Sequence, residues 1–182
     1  MVLSHLDADG LPRMVDVSGK VPTRRRAVAA GCLELGPACA EALERGGGPK
    51  GDPWAVVRLA AVNGVKRTAD LVPLAHPLAV EGIALEHHWN PEDRRAWLRV
   101  EVSAEGRTGV EMEALSGVTA GLLALYDMLK AAGHEMSLGP VRLLGKEGGS
   151  GGPKCWKWDA CPWNDTEGNP FPSRGQLRLD TI

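Results

Sequence analysis

Cationic side chains stand at the ends of otherwise apolar segments along this 182-residue chain: Lys50 in KGDP, Lys66 and His76 in KRTADLVPLAHP, Lys130 in YDMLK and Lys146 in RLLGKEGG. With a formal net charge of only -2, cations kept at segment boundaries can converge on one anionic ligand, whereas a solvated surface scatters them among carboxylates. The chemistry they fit is binding of a phosphate-bearing small molecule. Lys50 precedes the helix-start signal Asp52-Pro53, where unsatisfied backbone N–H groups and the positive dipole end add to its charge. Its plainer reading is a solvated loop lysine. Asp127 and Lys130 are three residues apart in a segment with almost no other charge, so on a helix they share a face and pair. Buried at an interface, the carboxylate would hold the amine charged until substrate arrives, and desolvation would draw its pKa toward neutrality for proton transfer. The same spacing also makes an ordinary ion pair. Glu111 and Glu113 open that helix roughly 200° apart around its axis, which assigns them different neighbours; both also fit simple dipole compensation. His76, between Ala75 and Pro77, sits on stiff backbone. Lys66 and Arg67 have the simpler reading of cations at a helix C-terminus.

The elements that must position these groups are legible from pattern. Residues 14–18 alternate like a short strand. Thr23 can cap a helix that begins with Arg24, Arg25 and Arg26 and continues to Leu35, with a second short helix over residues 38–44. Asp52 and Pro53 then start a long helix, WAVVRLAAVNGVKRTADL. Residues 79–89 and 96–105 alternate on either side of NPEDR and read as an antiparallel hairpin. Residues 111–132 form a long, nearly uncharged helix whose Gly117, Ala120, Gly121 and Ala124 permit close packing, and residues 136–145 supply a last strand. This order implies an α+β sandwich, an antiparallel sheet with helices on one face. From Gly148 the composition changes: GGSGGP is linker-like, and CWKWDACPWND holds three of the six tryptophans. Residues 1–149 thus read as one domain and 150–182 as a linker and tail. The tail is expected to be mobile rather than docked, since prolines and glycines oppose regular structure.

Composition excludes several classes. The balanced charge lacks the basic stripe that nucleic-acid binding requires. No apolar run approaches about 20 residues and the N-terminus has no signal-peptide pattern, so a soluble, cytoplasmic protein without membrane partners is expected. Cys32 and Cys39 fall in an apolar, helical-looking stretch as buried thiols, Cys155 and Cys161 in the tail, and no zinc signature is present.

MVDVSGK, KGDP, KRTADLVPLAHPL, TGVEMEAL, YDMLKA and GPVRLLGKEGG, in this order and at these intervals, resemble the MoaC family of molybdenum cofactor biosynthesis. The resemblance implies a ferredoxin-like α+β fold and a homohexamer built as a trimer of dimers with sites at the dimer interface. It implies a lyase that converts 3',8-cyclo-7,8-dihydroguanosine 5'-triphosphate, supplied by an upstream radical SAM enzyme, to cyclic pyranopterin monophosphate and pyrophosphate. No cofactor or bound metal is implied, Mg2+ entering only as a companion of the triphosphate. The family's functional positions fall on Arg25, Lys50, Lys66, His76, Glu111, Glu113, Asp127, Lys130 and Lys146. Lys50 and Lys130, with Asp127, are the acid/base candidates; Arg25, His76 and Lys146 are expected to clamp phosphates, Lys66 to bind substrate, and Glu111 and Glu113 to orient pterin N–H groups. Two positions depart from the family pattern: Ala75 replaces a usual cysteine, and Ser150 replaces the second lysine of a KxGGKSG-like run, for which Lys154 compensates only if the loop folds back. A noncatalytic nucleotide-binding or sensing module of the same fold is the competing reading, and the Asp127–Lys130 pair with Lys50 separates the two, because a sensor has no need of a paired acid and base.

Overall fold

Residues 23–35, expected as a helix, form the central strand of the sheet. In β1 (Thr23–Leu35) Ala27, Ala29, Leu33 and Leu35 enter the core on one face, while Val28, Ala30 and Cys32 enter a second cluster on the other. With both faces covered, no polar residue marks a period of two, and an alanine-rich run behind three arginines imitates a helix. Residues 14–18, expected as a strand, belong to none.

The computed structural model describes residue 7, residues 9–47 and 50–163, and residue 171. Along them β1 is followed by α1 (Pro37–Glu44), α2 (Pro53–Lys66), the single turn α3 (Thr68–Leu71), β2 (Gly82–Asn90), β3 (Arg95–Gly106), α4 (Glu111–Leu129), β4 (Met136–Glu147) and the short β5 (Lys154–Cys155). The strands pair antiparallel in the order β2-β3-β1-β4-β5. The helices pack on one face, which makes the molecule an α+β fold of the ferredoxin-like kind.

Local chemistry accounts for the helices and the hairpin. Asp52 caps α2 by accepting from the Trp54 backbone N–H at 2.9 Å, with Pro53 in the first turn. The hairpin turns where Asn90 accepts from the Glu92 N–H and Asp93 from the Arg95 N–H. α4 lies against the sheet and α2 lies against α4. A Cβ on Gly117 would come within 2.7 Å of Val65 on α2, so the small residue there lets the helices approach. The close packing that the small residues of α4 permit is therefore realised within the chain, where Gly117, Val118, Gly121, Leu122 and Leu125 all face the interior. By length and composition α4 could cross a membrane, but half of it is buried in this fold, as in a core helix.

The tail is docked where the described residues include it. β5 pairs with β4 through Gly145–Cys155 and Lys146–Lys154, and the Trp156 N–H donates to the Leu144 carbonyl at 2.8 Å. Trp158, Cys161 and Phe171 are buried with Val28, Ala30, Cys32, Trp97 and Leu144 on the sheet face away from the helices. Trp158 meets Trp97 edge-on at 5.1 Å between ring centres, Arg142 stands over Trp158, and Arg26 stands over Phe171. The expectation of a mobile tail fails because β1, β3 and β4 present an apolar outer face that needs a cover. Ion pairs rim it: Arg99, 1% exposed, bonds Glu86 at 2.6 Å and Glu101 at 3.1 Å, and Arg26 bonds Glu101 and Glu147.

Candidate active site

A β-bulge decides which side of the sheet receives Lys146. Ala29 pairs with Leu143 but Val28 pairs with Gly145, so Leu144 is an extra residue in β4. An unbroken register would set Lys146 opposite Arg26 on the outer face. The extra residue sets it opposite Ala27, on the helix side. There its ammonium pairs with the Glu111 carboxylate at 2.5 Å, at the first turn of α4.

Arg25, on the same side of β1 as Ala27, donates from Nε to the Gly106 carbonyl at 3.3 Å and from Nη2 to the Arg107 carbonyl at 3.4 Å. Arg107 Nε in turn donates to the Lys20 carbonyl at 3.0 Å, which ties the segment before β1 to the turn between β3 and α4. The loop after β4 closes the arrangement through Gly149, whose φ of +76° and lack of a Cβ let its backbone press against the Arg25 guanidinium. Together these segments line an open cleft of about 490 Å³ that includes Lys20, Thr23, Arg25, Arg107, Thr108, Glu111, Lys146, Glu147 and Ser150. Four cations against two carboxylates, with backbone groups at hand, make a receptor for a polyanion.

A second cleft of about 260 Å³ adjoins it, sharing Lys20, Thr108 and Gly109, and is lined by His76, Glu113, Met112, Ala75, Val15 and Val17. Glu111 and Glu113 thus address different clefts, as their angular separation on the helix requires. Glu113 is 4% exposed; burial first, and then the Glu111 charge, push its carboxyl above the ordinary range, opposed by a backbone hydrogen bond.

The remaining candidates sit elsewhere. Asp127, in the last turns of α4, accepts from Lys130 on one oxygen at 2.6 Å and from Lys50 on the other at 2.7 Å, and Lys50 also donates to the Asp127 carbonyl at 3.0 Å. Lys50 therefore reaches across to the negative end of α4 rather than lying over the start of α2. Hydrogen bonds from Lys130 and Lys50 bring the Asp127 carboxyl down to about 2, and Asp127 holds the Lys130 amine above its ordinary value. The expected drift of Lys130 toward neutrality is absent in the isolated chain, because all three side chains are about half exposed, at 45 to 52%. Lys66 is exposed in the last turn of α2 and lines neither cleft. Glu111 and Asp127 are 16 residues apart on one helix, about 24 Å at 1.5 Å per residue. One chain thus carries the candidates as two groups at opposite ends of α4. Sequence reasoning assigned no role to Lys20 or Arg107; Lys20 closes the quoted MVDVSGK motif, which was the available signal, whereas Arg107 gave none beyond its place in a glycine-rich turn.

Residues 14–149 match the profile of the MoaC family, a span that holds the second cleft, all of the first but Ser150, and the Lys50–Asp127–Lys130 group. The chain belongs to the MoaC family. A cyclic pyranopterin monophosphate synthase of Pelotomaculum thermopropionicum is 46% identical over 150 residues, covering 82% of this chain and 88% of the relative. Relatives of the same name from Rhodospirillum rubrum and Trichodesmium erythraeum are 47% and 45% identical, each covering 82% of this chain and 90% of their own length. Against the MoaC pattern, Ala75 borders the second cleft beside His76 and Ser150 borders the first, so both departures face the site rather than the core. Among the described residues no group of three or more His, Cys, Asp or Glu gathers around one point as a metal site would.

Proposed function

We propose that this chain is a cyclic pyranopterin monophosphate synthase, a lyase that converts 3',8-cyclo-7,8-dihydroguanosine 5'-triphosphate to cyclic pyranopterin monophosphate and pyrophosphate in molybdenum cofactor biosynthesis. The observation that carries the reading is the cation-rich cleft of Lys20, Arg25, Arg107 and Lys146, with Lys20 from the MVDVSGK segment, Lys146 from GPVRLLGKEGG, Arg25 from β1 and Arg107 from the turn just before TGVEMEAL. Charge develops on pyrophosphate as it leaves and the remaining phosphate closes into a ring, and fixed cations at that point lower the barrier. Arg25 and Lys146 hold the phosphates; His76, expected to clamp phosphate with them, lines the adjoining cleft instead, and from there it and Glu113 face the heterocycle. Lys50 and Lys130, held by Asp127, transfer the protons required to open the purine-derived ring and form the pyran.

The acid/base group and the phosphate cleft of one chain lie too far apart to meet on one substrate, so the reading includes a composite site: the C-terminal end of α4 from one subunit closes over the clefts of another. A homohexamer, a trimer of dimers, is the proposed assembly, and the cytoplasm the proposed location. Leu59 on α2 and Leu123 on α4, exposed at 69% and 56%, leave apolar contacts for a second copy. Burial in that contact would also supply the desolvation that Lys130 lacks in the isolated chain. The test is pyrophosphate release from the cyclic dihydroguanosine triphosphate by purified protein, with light scattering of the same sample. Binding without release would favour a noncatalytic nucleotide-binding module, and a stable 19.4-kDa monomer would remove the composite site.

A further inference from the structure

The tail sets one further cation, Lys154, on the strand beside Lys146. Lys154 lies in β5 directly opposite Lys146 of β4. Cross-strand partners project on the same face of a sheet, and the bulge at Leu144 has already turned Lys146 to the cleft side, so Lys154 shares that side. Its Cε lies 4.0 Å from where a Cβ on Gly151 would stand, next to Ser150 in the cleft lining. Lys154 is exposed, and among the described residues no carboxylate pairs with it. We propose that Lys154 is a phosphate-binding residue at the rim of the cleft, supplied from beyond residue 149, where the family match ends, and standing beside the uncharged Ser150. This rests on the triphosphate reading above.

The rest of the tail holds that lysine in place. Two backbone pairs alone would not order a strand of two residues. Trp158, 6% exposed against Trp97 and under Arg142, and Phe171, 7% exposed under Arg26, fasten the chain after β5 to the outer sheet face. The aromatic residues on one face of the sheet thereby fix a cation on the other.

The experiment uses the full-length chain with inorganic tripolyphosphate as the probe, titrated calorimetrically into wild type, Lys154→Ala, Lys154→Arg, and Lys154→Ala combined with Ser150→Lys. An exposed lysine of this kind contributes little to folding. Lys154→Ala is expected to weaken tripolyphosphate binding and to raise KM for the cyclic triphosphate about tenfold, the size of one charge-assisted hydrogen bond at an exposed rim. Lys154→Arg should keep both values near wild type, and Ser150→Lys should restore them in the alanine background. Unchanged tripolyphosphate affinity in Lys154→Ala overturns the proposal. Wild-type protein that binds tripolyphosphate through Lys154 yet releases no pyrophosphate would refute the synthase reading and leave the lysine assigned.

Discussion

If a site is shared between subunits, two inactive variants should repair each other. Lys130→Ala removes an amine at the C-terminal end of α4, and Lys146→Ala removes the cation in the cleft; each leaves the other end of the helix intact. With the two groups about 24 Å apart on one chain, a mixed dimer places the intact cleft of the Lys130→Ala chain against the intact amines of the Lys146→Ala chain, while its second site carries both defects. Random pairing makes about half of the dimers mixed, each with one working site of two, so about a quarter of wild-type activity should return. The assay is pyrophosphate release after co-expression of differently tagged variants, or after mixing them under conditions where subunits exchange. Both side chains are partly exposed, at 48% and 32%, so neither truncation threatens the core. Activity of the mixture no greater than the mean of its parents, in a sample shown to contain mixed dimers, would refute the shared site.

Asp127→Asn should move the alkaline limb of the pH–rate profile to lower pH, since Asp127 raises the Lys130 amine; an unmoved limb would remove that amine from the titrating step. Asp127 itself stays ionised in any ordinary assay. Its stabilising contribution is present above its usual 3.8 and is lost as pH falls through about 2. Glu113 has the opposite sign: its carboxyl is raised above 4.5, so stability falls as pH rises from 4.5 through the raised value. Glu113→Gln should therefore show a smaller drop in Tm between pH 4.5 and pH 7 than wild type, measured by thermal denaturation. Burial also pushes the Cys32 thiol up from 9.0 to about 11. Truncation after Gly152 should expose it and accelerate its reaction with a thiol reagent at pH 8 about a hundredfold, the gain in thiolate alone; an equal rate in both proteins would contradict docking of the tail.

What the sequence disclosed and what it hid follow from the same physics. Asp52-Pro53 announced α2 because caps and first-turn prolines act locally, and β2 and β3 were legible through alternation around a turn of asparagine and aspartate. β1 imitates a helix because its outer face is covered by residues more than 120 positions later, so nothing nearby in sequence betrays a period of two. Lys146 and Glu111 were named for good reason, but that they meet depends on Leu144, an extra residue that pattern does not mark. Asp127 was recognised as a partner of Lys130; that it also holds Lys50 needed the antiparallel packing of α2 on α4. Composition marks the tail's tryptophans but not their destination, which lies on a surface that only the assembled sheet creates.

The docked tail has a further consequence, for solubility. A sheet ordered β2-β3-β1-β4-β5 would, without its last strand, end on the twelve-residue β4, offering open backbone donors and acceptors beside an apolar face that contains Trp97. Such an edge is a template for strand addition by any neighbouring chain. In this protein β5 occupies the Gly145–Lys146 end of it, Trp156 takes the Leu144 carbonyl, and Pro140 withholds a donor farther along. Chains cut before the tail should therefore aggregate on standing even where the two clefts are intact, so the segment beyond the family match also keeps copies of the sheet from joining edge to edge.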